Sequence, residues 1–297
     1  MSTFSEAEKR ACSRLIELAF EEDRGGSVDL TCAAVIPDGL QGQARFVARS
    51  EGVLAGLPVA PLVYEEFRVE GEAVEFEPLV EDGARLKPGT ALARVSGGMH
   101  TILSAERTVL NFLQHLSGVA TLTRRYVDQV SDLPVRILDT RKTTPGWRLL
   151  EKYAVRCGGG HNHRMGLHDG VMLKDNHLAA LAWGSKGKGA ITDAIRAVRQ
   201  KFGTTVPLEV EVDTLEQLDE VLAAGPDIVL LDNMTTHNLR EAVQRRNRSA
   251  SGVLLEASGG VNLSTVRGIA ETGVDRISIG ALTHSATALD IGLDYEV

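Results

Sequence analysis

Short apolar runs recur along the chain from Val135 onward, and this recurrence constrains the fold more than any other feature of the sequence. The runs are VRILDTRK, GVMLKDN, LEVEVD, DIVLLDN, VLLEASGG and RISIGA. Apolar runs of this length are typical of parallel strands that are buried on both faces. Helical patterns separate several of them, at 191–202, 214–224, 236–247 and 262–272. Strands and helices therefore alternate, and the sequence predicts parallel βα units.

Residues with capping chemistry lie at the ends of these predicted helices. Thr214 and Gln217 have the spacing of a capping box, and Asn262 can cap the last helix. Gly225 and Gly273 lie where a left-handed residue commonly ends a helix. The caps therefore support the alternation that the apolar runs predict.

The last four predicted strands begin about 20 to 25 residues apart, which favours a βα barrel with its catalytic residues at the carboxyl ends of the strands. The polar candidates at such ends are Arg141, Lys142, Lys174, Glu211, Asp232 and Ser258. A doubly wound open sheet would also bind ligands beyond its strand ends. We favour the barrel because at least six strands are predicted and the sequence gives no sign of a reversal in their order.

Residues 1 to about 115 have a different pattern, which predicts an α+β domain. The predicted elements are an amphipathic helix at 5–23, a strand pair within 42–56, a helix at 58–67 and a hairpin within 81–97. A further helix at 104–117 has Val109, Leu110, Leu113 and Leu116 on its apolar face. On spacing alone, Arg107 on the opposite face is an ordinary solvated residue.

Charge and cysteine content exclude several classes of protein. The 297-residue chain has a net charge of −8, a pI near 5.6 and 43% hydrophobic residues. A globular protein of this charge is a poor partner for nucleic acid or for an anionic membrane. Its three cysteines lack CxxC spacing, so we expect no disulfide framework and a reducing cytoplasm.

One stretch of this acidic chain, 139–177, is locally basic. It contains Arg141, Lys142, Arg148, Lys152, Arg156, Arg164 and Lys174 against Glu151, Asp169 and Asp175. The glycines at 158–160 can also present backbone N–H groups to an anion. We therefore predict a pocket for a polyanion. An alternative is a zinc site at His161 and His163, which the adjacent Arg164 disfavours.

Two acids and two glycine loops extend this hypothesis. Glu211 and Asp232 suit magnesium that is held partly by substrate phosphates, although either could instead pair with Lys142 or Lys174. The loops EASGG at 256–260 and SIGALTHS at 278–285 resemble phosphate loops, with plain tight turns as the alternative. Together these parts predict a pocket for a phosphorylated sugar, magnesium and a small acid.

The motifs DTRKT, PGWRLLEKYAVRCGGGHNHR, LKDNH, EVEV, LLDN, EASGG and IGALTHS resemble those of the quinolinate phosphoribosyltransferases, in the family's order. The resemblance implies an open βα barrel of about seven strands, the type II phosphoribosyltransferase fold. It also implies an α+β N-terminal domain at 1–116, completed by the tail at 283–297, and a barrel domain at 117–282. Dimers or hexamers with a shared active site are expected.

The resemblance also implies the reaction and its residues. Quinolinate and phosphoribosyl pyrophosphate would give nicotinate mononucleotide, pyrophosphate and carbon dioxide, with Mg²⁺, in the synthesis of NAD. Lys142, Glu211 and Asp232 match the catalytic residues, and the two acids match the magnesium site. The residues that match the quinolinate site are Arg107, from the partner subunit, with Thr140, Arg141, His163, Arg164 and Lys174. Those that match the phosphoribosyl pyrophosphate site are Lys142, Lys174, Glu211, Asp232, Ser258, Gly259, Gly260, Gly280 and His284.

Few positions depart from the family pattern. Trp147 stands where a smaller apolar residue is common, His168 is at a variable position, and the loop at 183–190 is unusually basic. Lys186 and Lys188 in that loop either touch pyrophosphate or belong to a tether. Three alternatives stay open: a molybdenum-associated relative of the same fold, a binding protein without turnover, and a zinc-dependent barrel hydrolase.

Overall fold

The computed structural model describes residues 3–174, 176–177, 180 and 190–296. Its α-helices are α1 (Glu6–Arg24), α2 (Leu30–Val35), α3 (Ala60–Glu66), α4 (Met99–Gln129), α5 (Arg148–Cys157), α6 (Ala190–Phe202), α7 (Leu215–Ala224), α8 (Thr236–Ser249), α9 (Val266–Ala270) and α10 (Ala281–His284). Its strands are β1 (Gln41–Ala48), β2 (Gly52–Val53), β3 (Val74–Pro78), β4 (Arg85–Leu86), β5 (Ala91–Gly98), β6 (Arg136–Leu138), β7 (Val171–Leu173), β8 (Leu208–Val212), β9 (Ile228–Asp232), β10 (Leu254–Ser258), β11 (Arg276–Ser278) and β12 (Ile291–Tyr295). None of the described helices has both the length and the apolarity that crossing a membrane requires.

The chain divides into two compact units. The first contains Met1–Arg124, Lys142–Gly159 and Leu282–Val297, and the second contains Arg125–Arg141 and Gly160–Ala281. The first unit has a four-stranded antiparallel sheet in the order β12, β1, β5, β3. Since β12 pairs along β1, the C-terminal tail forms an edge of this sheet.

The predicted strand pair at 42–56 and the hairpin at 81–97 are wrong in their pairing. Strands form in both segments, but β2 pairs with β4, while β1 pairs with β5 and β12. The reason is length: β1 and β5 have eight residues each and pair over nearly their whole length. A two-residue neighbour in sequence offers far fewer ladder hydrogen bonds than this long-range partner.

Helices of the first unit follow the predicted apolar patterns. Ser5 and Glu8 form a capping box at the start of α1. The predicted helix at 104–117 is part of the much longer α4, which has 31 residues. Its predicted apolar face is buried, with Leu110 only 3% exposed, whereas Arg107 is exposed.

The second unit contains a six-stranded parallel sheet in the order β6, β11, β10, β9, β8, β7. In chain order β6 is the first of these strands and β11 the last, and the two are neighbours in the sheet. The order is therefore that of a βα barrel that is open between β6 and β7. His161 adds a parallel bridge to Leu138 on the open side of β6. A doubly wound sheet would instead reverse its order in the middle. The open βα arrangement is therefore confirmed, and the described residues contribute six strands and one bridged residue where about seven strands were predicted.

Cap predictions for this unit are confirmed in part. Thr214 accepts a hydrogen bond from the N–H of Gln217, but the Gln217 side chain accepts from Asp213, so the box is not reciprocal. Gly225 ends α7 in the left-handed conformation, with φ 74°. Asn262 does not cap a helix: its side chain accepts from the N–H of Ser264, a local turn that delays α9 until Val266.

A substitution at Gly118 tests how closely α4 approaches the C-terminal tail within the first unit. A Cβ atom at this position would overlap the backbone carbonyl of Thr287. We expect Gly118→Ala to lower the free energy of unfolding by about 1 to 3 kcal/mol, because backbone on both sides must shift. Equilibrium unfolding in urea, followed by circular dichroism, measures this loss.

The matched control is Gly268→Ala, also within a helix, where an added Cβ meets no atom within 4 Å. This substitution should be neutral or stabilise the protein by about 0.5 to 1 kcal/mol, because alanine favours the helix. Equal effects of the two substitutions would contradict the close approach.

Candidate functional site

Alternate residues of a strand project to the same face of the sheet and form a row of side chains. In two of the parallel strands, the last residue of such a row is polar. In β9 and β10 the rows are Ile228, Leu230, Asp232 and Leu254, Glu256, Ser258. Asp232 and Ser258 are partners in the register of the two strands. The predicted magnesium acid and the first residue of the predicted phosphate loop are therefore neighbours.

The loop after β10 is built around two left-handed glycines. Gly259 has φ 88° and Gly260 has φ 61°. A side chain at Gly259 would overlap that of Asn233, whose backbone N–H donates to the carbonyl of Ser258 at 2.9 Å. The loop and the end of β9 thus support each other. Gly280, in the second predicted loop, follows β11 and is half-buried.

Lys174 and Glu211 form an ion pair across the ends of β7 and β8. The backbone N–H of Lys174 donates to Nδ1 of His177 at 3.0 Å, which fixes the chain just after β7. Glu211 therefore adopts the structural pairing that the sequence left open, and its carboxylate stays half-buried at a strand end. Asp232 accepts from the Asn233 side chain at 2.7 Å.

Two arginines lie close enough for their charges to interact. Burial and the charge of Arg141 lower the pKa of Arg164, whose Nη1 donates to the carbonyl of Gly170 at 2.9 Å. Thr140 and Arg141 follow β6 and are half-buried. Two half-buried guanidinium groups give this part of the unit positive charge, which is the charge that binds carboxylates.

Four polar groups meet inside the parallel sheet. Nε2 of His163 lies 3.0 Å from Oε2 of Glu209 and 3.3 Å from Oε1 of Glu256. Arg276 lies 2.9 Å from the other oxygen of Glu256. His163 is 9% exposed, Glu209 4% and Glu256 0%. We call these four residues the buried cluster.

The buried cluster retains a proton near neutral pH. Burial lowers the pKa of His163, but hydrogen bonding and the charges of Glu209 and Glu256 outweigh it and raise this pKa to about 9. Nδ1 of the ring accepts from the N–H of Arg164 at 2.7 Å, so it cannot also carry a proton. Burial also raises the pKa of Glu209, so His163 and Glu209 hold the extra proton as a pair.

Asp139 fixes the turn that carries His163. This wholly buried acid follows β6 and accepts from the backbone N–H of His163 at 2.9 Å and from the Asn162 side chain at 2.5 Å. A cavity of about 260 Å³ reaches the turn from the amino-terminal ends of the strands, next to Val171 and Ile228. It opens opposite to the strand ends that hold Glu211 and Asp232.

Among the described residues, one group of three side chains could hold a metal ion without help from a ligand. His163, Glu209 and Glu256 bring possible ligand atoms within 4.8 Å of one another. The guanidinium of Arg276 already neutralises one of these acids, so the group works as a charge network. His161 is exposed and lies outside it, so the arrangement gives no support to the alternative of a zinc site at His161 and His163.

The other predicted residues belong to the first unit. Arg107, Lys142 and His284 are all exposed. The carbonyl of Lys142 accepts from the hydroxyl of Thr283 at 2.8 Å, and Nδ1 of His284 lies 2.6 Å from the hydroxyl of Ser285. Trp147, which departs from the family pattern, stacks on Phe112 at 4.8 Å. His168 is exposed, and Lys186 and Lys188 lie outside the described residues.

Sequence reasoning missed most of the buried cluster. Glu209 and Glu256 were treated as parts of apolar strand runs, and Arg276 and Asp139 were given no role. A signal was present, because a charged residue in the middle of a buried strand requires a partner. In EVEV the two acids also alternate, which places Glu209 on the same face as Glu211.

Known proteins resemble both parts of the chain. Residues 29–117 match the N-terminal domain of quinolinate phosphoribosyl transferase, and residues 119–294 match its C-terminal domain. A nicotinate-nucleotide pyrophosphorylase (carboxylating) of Mycobacterium leprae is 48% identical over 98% of this chain and 99% of its own. A quinolinate phosphoribosyltransferase (decarboxylating) of Nicotiana tabacum is 40% identical over 95% of this chain and 81% of its own.

Solved structures agree with these sequence matches. The nicotinate-nucleotide pyrophosphorylase of Francisella tularensis has a TM-score of 0.86 at 34% identity, covering 97% of this chain and 96% of that one. The enzyme of the same name from Ehrlichia chaffeensis has a TM-score of 0.85 at 38% identity, covering 96% and 98%. The likeness extends over nearly the whole of each chain.

The retained proton makes stability depend on pH. The unfolded chain binds a proton at His163 with a pKa near 6.5, and the folded cluster holds it to about 9. Its stabilising contribution is therefore complete below pH 6.5 and is lost as the pH rises through 9. We expect the free energy of unfolding to fall by about 3 kcal/mol over this range.

Urea unfolding between pH 6 and pH 10 measures this change, and Glu209→Gln is the matched variant. The amide keeps the shape of Glu209 but cannot lose the proton, so the variant should show a smaller decline than the natural protein. An equal decline in both proteins would place the titration elsewhere.

Proposed function

Because the chain belongs to the quinolinate phosphoribosyl transferase family, we propose that it joins quinolinate to phosphoribosyl pyrophosphate in the de novo synthesis of NAD. The products are nicotinate mononucleotide, pyrophosphate and carbon dioxide. The observation that carries this proposal is the register of Asp232 with Ser258, which joins an acid suited to magnesium to a glycine loop suited to phosphate. Arg141 and Arg164 in the same unit suit a dicarboxylate.

The chemistry proceeds in two steps. The ring nitrogen of quinolinate forms a bond to C1 of the ribose while the bond to pyrophosphate breaks. Carbon dioxide then leaves C2 of the ring, and a proton from water replaces it. The positive pyridinium nitrogen next to C2 stabilises the electron pair that stays on C2 until the proton arrives. Neither step needs a nucleophile from the protein, so catalysis consists of positioning and charge stabilisation.

Magnesium suits the acids at the strand ends. Glu211 and Asp232 end neighbouring strands, both are half-buried, and carboxylate oxygens are the ligands that magnesium prefers. The ion pair with Lys174 offsets part of the charge of Glu211, which fits a cation held mainly by substrate phosphates. When bound, magnesium would neutralise charge on the departing pyrophosphate.

Roles for the remaining residues follow the resemblance to the family. Lys142 stabilises the leaving pyrophosphate, while Thr140, Arg141, Arg164 and Lys174 hold the two carboxylates. The resemblance also matches His163 to this site, although its ring lies beside Glu209 and Glu256. The 5′-phosphate lies among the residues of the two glycine loops, which are Ser258, Gly259, Gly260, Gly280 and His284. At Ser258–Gly260 the left-handed backbone supports this role, because it turns N–H groups towards an anion.

The alternatives from sequence are weaker. A molybdenum-associated relative is not supported, because relatives at 40% and 48% identity are named for the decarboxylating or carboxylating reaction. A binding protein without turnover would have no need of Lys142, Glu211 and Asp232 together. The zinc hydrolase would require His161 and His163 on one ion, whereas His163 lies between Glu209 and Glu256.

Assembly and location complete the proposal. We propose a homodimer, or a hexamer built from dimers, in which Arg107 completes the site of the partner subunit. Its position fits this role, since Arg107 is exposed on the long helix α4. We also propose a cytoplasmic location, because Cys12, Cys32 and Cys157 are buried unpaired thiols, as a reducing compartment preserves them.

The proposed reaction predicts a specific release of carbon dioxide. Quinolinate labelled at the 2-carboxylate should release labelled carbon dioxide only when phosphoribosyl pyrophosphate and magnesium are both present. Nicotinate, which lacks that carboxylate, should yield no nucleotide. Release without the sugar donor, or intact quinolinate when the donor is bound, would contradict the proposal.

The shared site predicts complementation between inactive subunits. Arg107→Ala and Lys142→Ala proteins should each lose most activity, since each lacks one cation of every site. After mixing, a mixed dimer would contain one site with both cations, so part of the activity should return. Recovery is measured as carbon dioxide release after subunit exchange is verified by native mass spectrometry. Exchange without recovery would place Arg107 and Lys142 in the same subunit's site.

A further inference from the structure

We propose that His163 and Glu209 are positioning residues for Arg164, and that they act inside the protein and not on the ligand. The inference rests on the proposed function, because it gives Arg164 the task of holding a carboxylate of quinolinate. It deepens that function by assigning a role to Glu209, a residue inside β8.

The first argument is the engagement of the His163 ring. Nδ1 accepts from the backbone N–H of Arg164 at 2.7 Å, and Nε2 lies 3.0 Å from Glu209 and 3.3 Å from Glu256. Both nitrogens therefore face protein groups. A ligand carboxylate at Nε2 would have to enter a buried space that two carboxylates already occupy.

The second argument is the rigidity of the turn. The backbone N–H of His163 donates to Asp139 at 2.9 Å, so the residue is fixed at its main chain as well as at both ring nitrogens. The next residue, Arg164, has its own N–H held by the ring and its guanidinium held by the carbonyl of Gly170 at 2.9 Å. The arginine therefore has little freedom at either end.

The third argument is what this rigidity achieves. Arg164 is half-buried and close enough to Arg141 for the two charges to interact. A flexible arginine would move away from a like charge, whereas a fixed one stays where a second carboxylate can meet it. Cations that are positioned before binding lose less entropy when the ligand arrives.

The geometry identifies a chain of contact from Glu209 through the His163 ring to the backbone of Arg164. Breaking the contact between Glu209 and His163 should therefore change the position of Arg164. We expect Glu209→Leu, which removes the carboxylate but keeps a similar volume, to raise the KM for quinolinate roughly tenfold. The KM for phosphoribosyl pyrophosphate should stay unchanged. Glu209→Gln keeps an oxygen facing Nε2 and should restore most of the affinity for quinolinate.

A double-mutant cycle separates positioning from direct contact. His163→Gln should raise the KM for quinolinate as Glu209→Leu does, and the double variant should be no worse than the worse single variant. Additive effects would mean that the two residues act independently, and would overturn the proposal. Asp275→Asn is the control, because it weakens a partly buried ion pair with Arg246 at 2.8 Å without touching the turn. This control should leave both KM values unchanged.

Amide hydrogen exchange at Arg164 gives a readout that does not depend on activity. The N–H should be protected in the natural protein and in Asp275→Asn, and should exchange faster in Glu209→Leu and His163→Gln. Unchanged protection in Glu209→Leu overturns the proposal even if the enzyme is active. Faster exchange with an unchanged KM for quinolinate also overturns it. If exchange behaves as expected but the natural protein does not use quinolinate, the positioning stands and the proposed function fails.

Discussion

The charge of Glu256 must be balanced inside a parallel sheet, and the second unit is organised around that requirement. This carboxylate is wholly buried in β10, with Arg276 on one side and His163 on the other. Removing one partner of such a buried pair costs about 3 to 5 kcal/mol. The balance ties β10 to β11 and to the turn after His161, where the barrel is open between strands. Through His163, side-chain charges thus also connect β10 to the turn after His161, whose backbone bridges to Leu138 of β6.

The polar rows of the strands divide the unit into two chemical levels. Glu209 and Glu256 lie within β8 and β10, while Glu211 and Ser258 are two residues further along the same strands. Because side chains alternate, each buried acid shares a face with a residue at the strand end. The inner level is buried and its charges are paired, whereas the outer level keeps a half-buried acid beside Lys174. This division separates groups that maintain the geometry from groups that can meet a ligand.

Local patterns predicted the parallel strands, their order and the polar residues at their ends, because apolar runs and helix caps are short-range signals. Pairing in the N-terminal sheet was mispredicted because β1 selects β5 and β12 over its neighbour β2. The buried cluster was missed for a related reason: its four members come from four separate segments, and only the fold brings them together. The His163 ring illustrates the limit most clearly. The sequence marks this histidine as a candidate for the site, but only the structure reveals that its nitrogens face Arg164 and two acids.

The two steps of the proposed reaction make opposite electrostatic demands on the cations. Binding a dicarboxylate requires positive charge, whereas loss of carbon dioxide is slowed by any cation that stabilises the 2-carboxylate too well. Arginines in fixed positions, such as Arg164, meet both requirements, because the distance from each arginine to each carboxylate sets how strongly that carboxylate is held. A titrating imidazole in direct contact would vary that charge with pH. Enclosing His163 between Glu209 and Glu256 keeps its proton exchange away from the ligand, while its ring still orients Arg164.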